Sequence, residues 1–480
     1  MLFSSPIFLF TFLPSVLIVY YGPLRGLRRG QNWFLLAASL FFYGWGEPVF
    51  VLVMLGSIGF NYGLGLWVDL WRRQGKKRTL PVALAVAVDL GLLFVFKYLT
   101  FTLTSLRSLW GHASGADLPL WNIALPIGIS FFTFQALSYV LDVARGEAEV
   151  QKNPLNVGLY IAFFPQLIAG PIVKYQTVAH QIQNRRESWE NFSRGCHRFL
   201  VGLGKKVLLA NQLAVIADAA FDPNLPSSAA MAWLGSICYT LQIFFDFGGY
   251  SDMAIGLGKM FGFQFLENFR YPYLASSCRD FWKRWHISLT TWFRDYLYIP
   301  LGGNREGSKK TLRNMFLVWL FTGVWHGANW TFLCWGLVWF VLLTAERRWD
   351  PLHRLPLWAK RGCTFFVVNL TWVLFRADSL PRAWQFLSTM FLGTAPALWS
   401  PETSYYLEQN WLVLLLAVLA CWPSATWLRG RLVRLAEREN WDRLMPAWDA
   451  LCALGLAAVF LISAAFLVKG SYNPFIYFNF

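Results

Sequence analysis

Long apolar runs separated by short basic clusters constrain this chain more than any other feature. A membrane-spanning helix needs about 20 apolar residues, and only 14% of this sequence is charged, against about 25% in a soluble protein. We therefore predict an all-α polytopic integral membrane protein with about ten or more membrane segments. The candidate runs lie near residues 6–23, 32–46, 48–69, 80–103, 118–143, 196–219, 228–249, 410–427 and 447–468, with shorter or broken runs near 155–173, 250–263, 315–344 and 361–376.

The basic clusters predict how these segments are oriented. The formal net charge is +16, and most of the excess lies in short loops, where the positive-inside rule accounts for it without nucleic-acid binding. We expect residues 25–29, 72–78, 174–194 and 429–443 to be cytoplasmic and the loop 104–120 to be external. This alternation predicts that both termini are periplasmic.

Three apolar runs contain proline and glycine at positions that an ordinary spanning helix disfavours. They are LPIGIS at 125–130, FFPQLIAGPI at 163–172 and FDFGGYSDMAIGLG at 245–258. Backbone groups cannot stay unpaired in lipid, so a broken helix survives only where protein encloses it. Simple proline kinks are the alternative, but three such runs favour a core of broken or re-entrant helices.

One histidine, His326, lies inside the apolar run 315–344, in the stretch FTGVWHGANWTF. It follows Arg313 by about 20 Å of helix, and an ionisable group at such depth is a functional-site hypothesis by default. Trp325 and Trp330 would form bulky walls, and Asn329 could be a partner. A buried histidine bonded to a neighbouring helix is the structural alternative.

A second histidine, His286, lies in a segment that alternates basic and aromatic residues, RDFWKRWHISLTTWFRDYLYIPLGGN. This composition suits an interfacial helix, and Lys283 and Arg284 could equally face the phosphates of a coenzyme A donor. The sequence leaves these readings open.

The chemistry available to a buried histidine follows from desolvation. A desolvated imidazole is held in its neutral form, and it can take a hydroxyl proton while that oxygen attacks a thioester carbonyl. Enclosure would also protect the thioester from hydrolysis.

Four acidic residues, Asp89, Asp142, Asp246 and Asp252, lie in apolar runs and could form a transporter-like relay. Asp246 and Asp252 flank a glycine pair, so they could instead cap a broken helix or pair with cations. Phosphate-loop, nucleophile-elbow and zinc-protease motifs are missing from the sequence. The seven cysteines form no CxxC pair, so we predict no metal site.

Several segments together resemble the membrane-bound O-acyltransferase (MBOAT) family. They are FFPQLIAGPI, DFGGYSDMAIGLG, FWKRWHISLTTWFRDYLYIPLGGN and GVWHGANWTFLCWG, with LFSSPIFLF near the start and NPFIYF near the end. Within the family the chain is most similar to the bacterial alginate O-acetyltransferase branch and less so to D-alanyl transfer proteins. The resemblance implies a ring of helices around a thin core, with a cytoplasmic donor entrance and an external funnel.

The resemblance also implies a site and a setting. His326 would be the catalytic base and His286 the second family histidine, with further candidates for substrate or donor binding at Trp325, Asn329, Trp330, Lys283, Arg284, Asp246 and Asp252. We expect acetyl-CoA or another thioester as donor, no permanently bound cofactor, and periplasmic AlgJ-like or AlgX-like O-acetyltransferase subunits as partners. The implied setting is the bacterial inner membrane, and the implied product is an O-acetylated exopolysaccharide such as alginate.

The expected organisation is a single membrane domain over 1–480. It comprises peripheral N-terminal helices at about 1–115, a catalytic core at about 118–345 and C-terminal helices at about 355–480. Three other readings remain open: a transporter or flippase with a histidine and aspartate relay, a scaffold subunit, and D-alanyl transfer to teichoic acid.

Overall fold

Helices make up all the long regular elements of the chain where the structure describes it. The computed structural model describes residues 1–114, 123–222, 227–350, 352–391, 393, 395–439, 444–470 and 472–476. The N-terminal helices are α1 Leu13–Tyr21, α2 Arg28–Gly44, α3 Phe50–Arg73, α4 Thr79–Leu93 and α5 Leu99–Ser114. Wider π-helical turns at Phe8–Phe12 and Phe94–Tyr98 lead into α1 and join α4 to α5.

The central helices differ widely in length. The short ones are α7 Pro154–Ala162, α8 Phe164–Leu167, α9 Tyr175–Asn184, α13 Cys278–Trp282 and α14 Ile287–Phe293. The long ones are α6 Ile129–Arg145, α10 Trp189–Gly204, α11 Asn211–Phe221, α12 Ala229–Met260, α15 Ser308–His326 and α16 Trp330–Trp349, with π-helical turns at Lys205–Ala210 and Arg294–Tyr298. The C-terminal helices are α17 Leu357–Arg376, α18 Leu380–Met390, α19 Pro401–Ala420, α20 Ser424–Glu439 and α21 Leu444–Val468.

Five helices of the described chain are long and apolar enough to cross a membrane. They are Phe50–Arg73, Thr79–Ser108, Trp189–Phe221, Ala229–Met260 and Met445–Val468, and a sixth is formed if Pro401–Ala420 and Ser424–Leu435, bent by 66°, count as one span. The predicted all-α membrane class is confirmed. The predicted count of ten or more is too high by this criterion, because other apolar runs form helices that are shorter, such as Arg28–Gly44 with 17 residues, or broken.

Two of the three predicted interruptions are present. The LPIGIS run leaves α6 starting only at Ile129, after Gly128 with φ +77°, and the FFPQLIAGPI run breaks at Phe163, between α7 and α8. The residues around the second break are almost completely buried in protein, as broken backbone at this depth requires. Residues 115–122, which include part of the predicted external loop and the start of the predicted span 118–143, lie outside the described chain, and residues 104–114 continue α5.

The third predicted interruption is wrong, because α12 runs without a break for 32 residues through Gly248 and Gly249. These glycines serve helix packing instead. A Cβ added to Gly249 would come within 2.7 Å of the Gly202 carbonyl oxygen, and one at Gly256 within 2.6 Å of the Gly195 carbonyl oxygen. Small residues spaced seven apart thus allow α10 and α12 to approach backbone to backbone.

Basic side chains of the predicted cytoplasmic segments contact residues from other parts of the chain. Arg28 pairs with Glu187, Arg78 Nη1 donates to the Ala144 carbonyl over 2.7 Å, and Lys174 Nζ lies 2.6 Å from Asp295 Oδ2.

Segments near the two ends of the chain lie together, because Asn473 Nδ2 donates to the Ser4 carbonyl over 2.9 Å. That both termini are periplasmic stays a prediction.

Candidate active site

His326 is the last residue of α15, at the tip of a helical hairpin. Residues 327–329 reverse the chain and α16 returns antiparallel, so that the Phe316 and Phe340 rings lie 5.5 Å apart and Gly323 faces Gly336. The sequence interpretation treated 315–344 as one run with His326 between two charged ends. In the structure both charged ends lie together, and His326 is about 20 Å away along α15.

Two side chains from the turn Phe94–Tyr98 hold the end of α15. Lys97 Nζ donates to the carbonyl oxygens of Trp325 at 2.7 Å and His326 at 3.3 Å, and Tyr98 Oη donates to the Val324 carbonyl over 2.7 Å. The last carbonyls of a helix have no partner within the helix. These contacts supply the partners that the chain reversal at residue 327 removes, and a cation at this end also matches the helix dipole.

The imidazole of His326 is buried, and its ring nitrogens form no hydrogen bond with any described residue. The residue is 5% exposed, and neither Nδ1 nor Nε2 has a hydrogen-bond partner in the part of the chain that the structure describes. Its ring packs against Trp325, Trp335 and Phe375, at centroid distances of 5.0 to 5.1 Å. Both ring nitrogens therefore remain available to a group that enters the cleft.

Two clefts lie near His326. One is lined by His326 itself, with Lys97, Ser130 and the segment 125–129. The other is lined by Asn329, Arg376, Gln242 and Phe375, and the Phe375 ring packs against the His326 ring at a centroid distance of 5.1 Å. His326 thus lines one cleft directly and contacts the wall of the other.

His286 is held more tightly than His326. It is fully buried and adopts φ +44° immediately before α14, and its Nδ1 lies 3.1 Å from Asn268 Oδ1. The same Asn268 oxygen accepts from Ser288 Oγ at 2.8 Å. Because Nδ1 donates to this oxygen, Nε2 is left as the acceptor, and it has no partner among the described residues.

Trp325 brings the two histidines into one site. Its ring centroid lies 5.8 Å from that of His286 and 5.1 Å from that of His326. The structure therefore places three of the residues singled out from the sequence in one buried cluster, with Trp325 between the imidazoles.

The other candidates from the two histidine motifs are not part of this cluster. Asn329 caps α16, its Oδ1 accepting from the Thr331 amide at 3.1 Å and its Nδ2 donating to the Asp378 carbonyl at 2.9 Å. Trp330 is 49% exposed and packs on Phe101. Lys283 is exposed, and Arg284 Nε bonds to Asp280 Oδ1 at 2.8 Å.

The four acidic residues of the apolar runs all have partners. Asp246 and Lys206 form a buried ion pair of 2.6 Å, and Asp252 accepts from Arg198 at 2.8 Å and Lys205 at 2.7 Å. The cations come from α10 and the turn after it, so the pairs join that element to α12. Capping of a broken helix is excluded, because α12 is continuous here.

The remaining pair of acidic residues is also bonded. Asp89 accepts from Asn61 at 3.0 Å, and Asp142 accepts from Tyr296 Oη at 2.5 Å and the Gln176 amide at 2.8 Å. These contacts support structural pairing over an ion relay.

The sequence interpretation missed Lys97 and Asn268. Lys97 carried a usable signal, since it is the lone charge in the apolar stretch FVFKYLTF, and an intramembrane lysine is a functional hypothesis by default. Asn268 lies in the polar segment ENFRY and carried no such signal. Only the fold reveals that its oxygen contacts His286.

The family model described as MBOAT, membrane-bound O-acyltransferase family, matches residues 89–376. The chain belongs to this family. It is therefore an acyltransferase, and the matched segment contains Lys97, Asn268 and both histidines of the buried cluster.

Relatives of this acyltransferase carry three different names. The chain is 44% identical to a "Probable alginate O-acetylase AlgI" of Pseudomonas putida, over 82% of this chain and 80% of the relative. It is 33% identical to a "Peptidoglycan O-acetyltransferase" of Helicobacter pylori over 100% of this chain and 98% of the relative. A "Teichoic acid D-alanyltransferase" of Bacillus subtilis is 29% identical over 53% of this chain and 67% of the relative.

Proposed function

We propose that this acyltransferase moves an acetyl group from acetyl-CoA, on the cytoplasmic side of the bacterial inner membrane, to a hydroxyl acceptor on the far side. The transferred group serves O-acetylation of an extracytoplasmic polysaccharide, an exopolysaccharide of the alginate kind. One observation carries the proposal: His326 is a buried imidazole with both ring nitrogens unbonded by the described residues, which lines one cleft and packs against Phe375 in the wall of a second.

His326 acts as the general base in this scheme. Its free ring nitrogen takes the proton of the acceptor hydroxyl while the oxygen attacks the thioester carbonyl carbon, which forms the new C–O bond. The tetrahedral intermediate then expels the thiolate, the C–S bond breaks, and the imidazolium returns its proton to sulfur. The products are an O-acetyl ester and free coenzyme A.

His286 supports this step through its position beside Trp325. Asn268 fixes the tautomer in which Nε2 is an acceptor, so His286 can orient the acceptor hydroxyl or a water without competing for the role of base. The aromatic walls of Trp325, Trp335 and Phe375 exclude water from the thioester.

The relatives' names support the acyl group and the kind of acceptor. The alginate and peptidoglycan relatives named above each align over more than four-fifths of this chain, and both are named for O-acetyl transfer. The teichoic acid relative aligns over about half the chain, so we favour acetyl over D-alanyl transfer. Periplasmic O-acetyltransferase subunits would complete the transfer to the polymer.

The test replaces His326 in the native host. His326→Ala should abolish O-acetylation while the protein remains inserted and abundant, as measured by alkali-labile acetate in isolated exopolysaccharide and peptidoglycan and by immunoblot of the membranes. His353→Ala, at an exposed histidine, is the matched control and should keep full acetylation.

The esters measured on the two polymers test the acceptor and the acyl group separately. Acetate lost only from peptidoglycan would reassign the acceptor, and ester-linked alanine lost in place of acetate would reassign the acyl group. Full acetylation of both polymers in His326→Ala would overturn the catalytic assignment.

A further inference from the structure

We propose that Lys97 is a positioning residue for acyl transfer, which holds the catalytic turn at His326 through the backbone. The inference rests on the proposed function, because it assigns Lys97 a role in presenting His326 to the substrates. It concerns a residue on a distant helix, 229 positions earlier in the chain than His326.

The bonding of the ammonium group argues for positioning and against direct catalysis. Lys97 Nζ has three N–H donors and three acceptors: the Trp325 carbonyl at 2.7 Å, the His326 carbonyl at 3.3 Å and Ser130 Oγ at 3.3 Å. All three N–H groups are therefore directed at the protein. None is left to stabilise an oxyanion on a substrate.

The place of Lys97 in the backbone is unusual as well. It lies in the π-helical turn Phe94–Tyr98, and such turns occur often at functional sites. The next residue, Tyr98, bonds the Val324 carbonyl. One turn of helix thus anchors three successive carbonyls, those of residues 324–326, at the end of α15.

The charge of the helix end favours a cation at the position of the Lys97 ammonium. The carboxyl end of α15 carries the negative pole of its helix dipole, next to the cleft. The described part of the chain has no carboxylate within 4.0 Å of Lys97 Nζ. The counter-charge for Lys97 is therefore the helix end itself, and its Nζ also lies 5.9 Å from the centroid of the Trp325 ring.

Losing the ammonium would free the His326 turn to move. Displacing a catalytic group by about 1 Å can cost about a hundredfold in rate. Lys97→Met, which keeps most of the length of the side chain, should therefore lower kcat by about ten- to a hundredfold and leave the apparent KM for acetyl-CoA within about twofold, because the Lys97 ammonium is bonded to the protein.

The measurement uses inside-out membrane vesicles that contain equal amounts of each variant, supplied with radiolabelled acetyl-CoA, and follows label in alkali-labile esters. Lys97→Arg should recover part of the activity, since it restores a cation at the helix end. Tyr98→Phe should lose less than Lys97→Met, because Val324 is two residues from His326. Lys310→Met, at an exposed surface ion pair, is the matched control with wild-type activity.

Chemical rescue separates positioning from a role in folding. Lys97→Ala leaves a space beside the open cleft, which a small alkylammonium ion can enter. Methylammonium or ethylammonium added to finished vesicles should raise the activity of Lys97→Ala severalfold and leave that of His326→Ala unchanged. A folding defect incurred during membrane insertion would not respond.

The outcomes distinguish the two proposals. Labelled ester in wild-type vesicles with equal activity in Lys97→Met would overturn the inference alone. A fall in activity that appears only in the KM for acetyl-CoA, or that no amine restores, would also overturn it. Absence of label in wild-type vesicles would overturn the proposed function with acetyl-CoA, and the role of Lys97 with it.

Discussion

The two histidine turns of the buried cluster differ in which of their atoms are held in place. The His286 turn is closed: the residue is fully buried, its Nδ1 is bonded to Asn268, and the rings of Phe247 and Phe269 pack around it. The His326 turn is open: its backbone carbonyls are anchored by Lys97, while its imidazole is bonded to no described residue. One turn fixes its side chain and the other fixes only its backbone, and on this difference we propose His326 for proton transfer and His286 for orientation.

The largest expected effect tests whether the two histidines act as one unit. His326→Ala should lower kcat by about 10² to 10⁴-fold, the usual contribution of a general base, and adding His286→Asn should cost little more, because groups that act together are not additive. Label transfer from acetyl-CoA in vesicles measures both variants. Independent, multiplying losses would separate the two turns into unrelated sites.

The next effect tests the closed turn itself. Asparagine tolerates positive φ and can donate an N–H to Asn268, so His286→Asn should keep the turn and the thermal stability while removing the Nε2 acceptor. We expect activity to fall about tenfold or more, within the range for a positioned side chain. Wild-type activity in this variant would return His286 to a purely structural role.

A smaller effect should follow from loosening the support of His286. Asn268→Ala removes the oxygen that accepts from His286 Nδ1, Ser288 Oγ and the Ser288 amide. Leaving such buried donors unpaired costs about 1–3 kcal/mol each at most, so the thermal midpoint should fall and activity should drop less than in His286→Asn. An unchanged midpoint would mean that water or a neighbouring group replaces the oxygen.

The smallest effect concerns Asn329, which lies three residues after His326 but acts as a helix cap. Asn329→Ala should cost about 1 kcal/mol of stability, while Asn329→Ser, which keeps a capping oxygen, should cost little. Both should keep kcat near wild type in the vesicle assay. A large loss of kcat in the well-capped Asn329→Ser variant would move Asn329 from the cap into the catalytic site.

Sequence patterns predicted much of the fold and the chemical centre of the site. Charge depletion and apolar runs predicted an all-α membrane protein, and the proline and glycine runs at 125–130 and 163–172 predicted real breaks. An ionisable residue in an apolar run predicted a buried histidine, and His326 is buried. These predictions succeed because each depends on a cost that acts locally, such as burying charge or breaking a backbone hydrogen bond in lipid.

Predictions that depended on a distant neighbour were less successful. Glycine in α12 suggested a break, since the sequence does not reveal that α10 packs directly against it. Asp246 and Asp252 suggested caps or a relay, since their cations lie some 40 to 54 residues earlier in the chain. Trp330 and Lys283, which are close in sequence to the histidines, are exposed in the structure, and their roles in substrate or donor binding stay predictions.

By itself the sequence determined that this is an integral membrane protein, that it is helical, and where its two histidine motifs lie. Only the tertiary structure decided that 315–344 reverses into a hairpin, that Trp325 joins the histidines and that Lys97 anchors the His326 turn. The physical reason is that a helix can end inside a membrane protein only if another element supplies partners for its last carbonyls. Here that element lies more than 200 residues away in the chain.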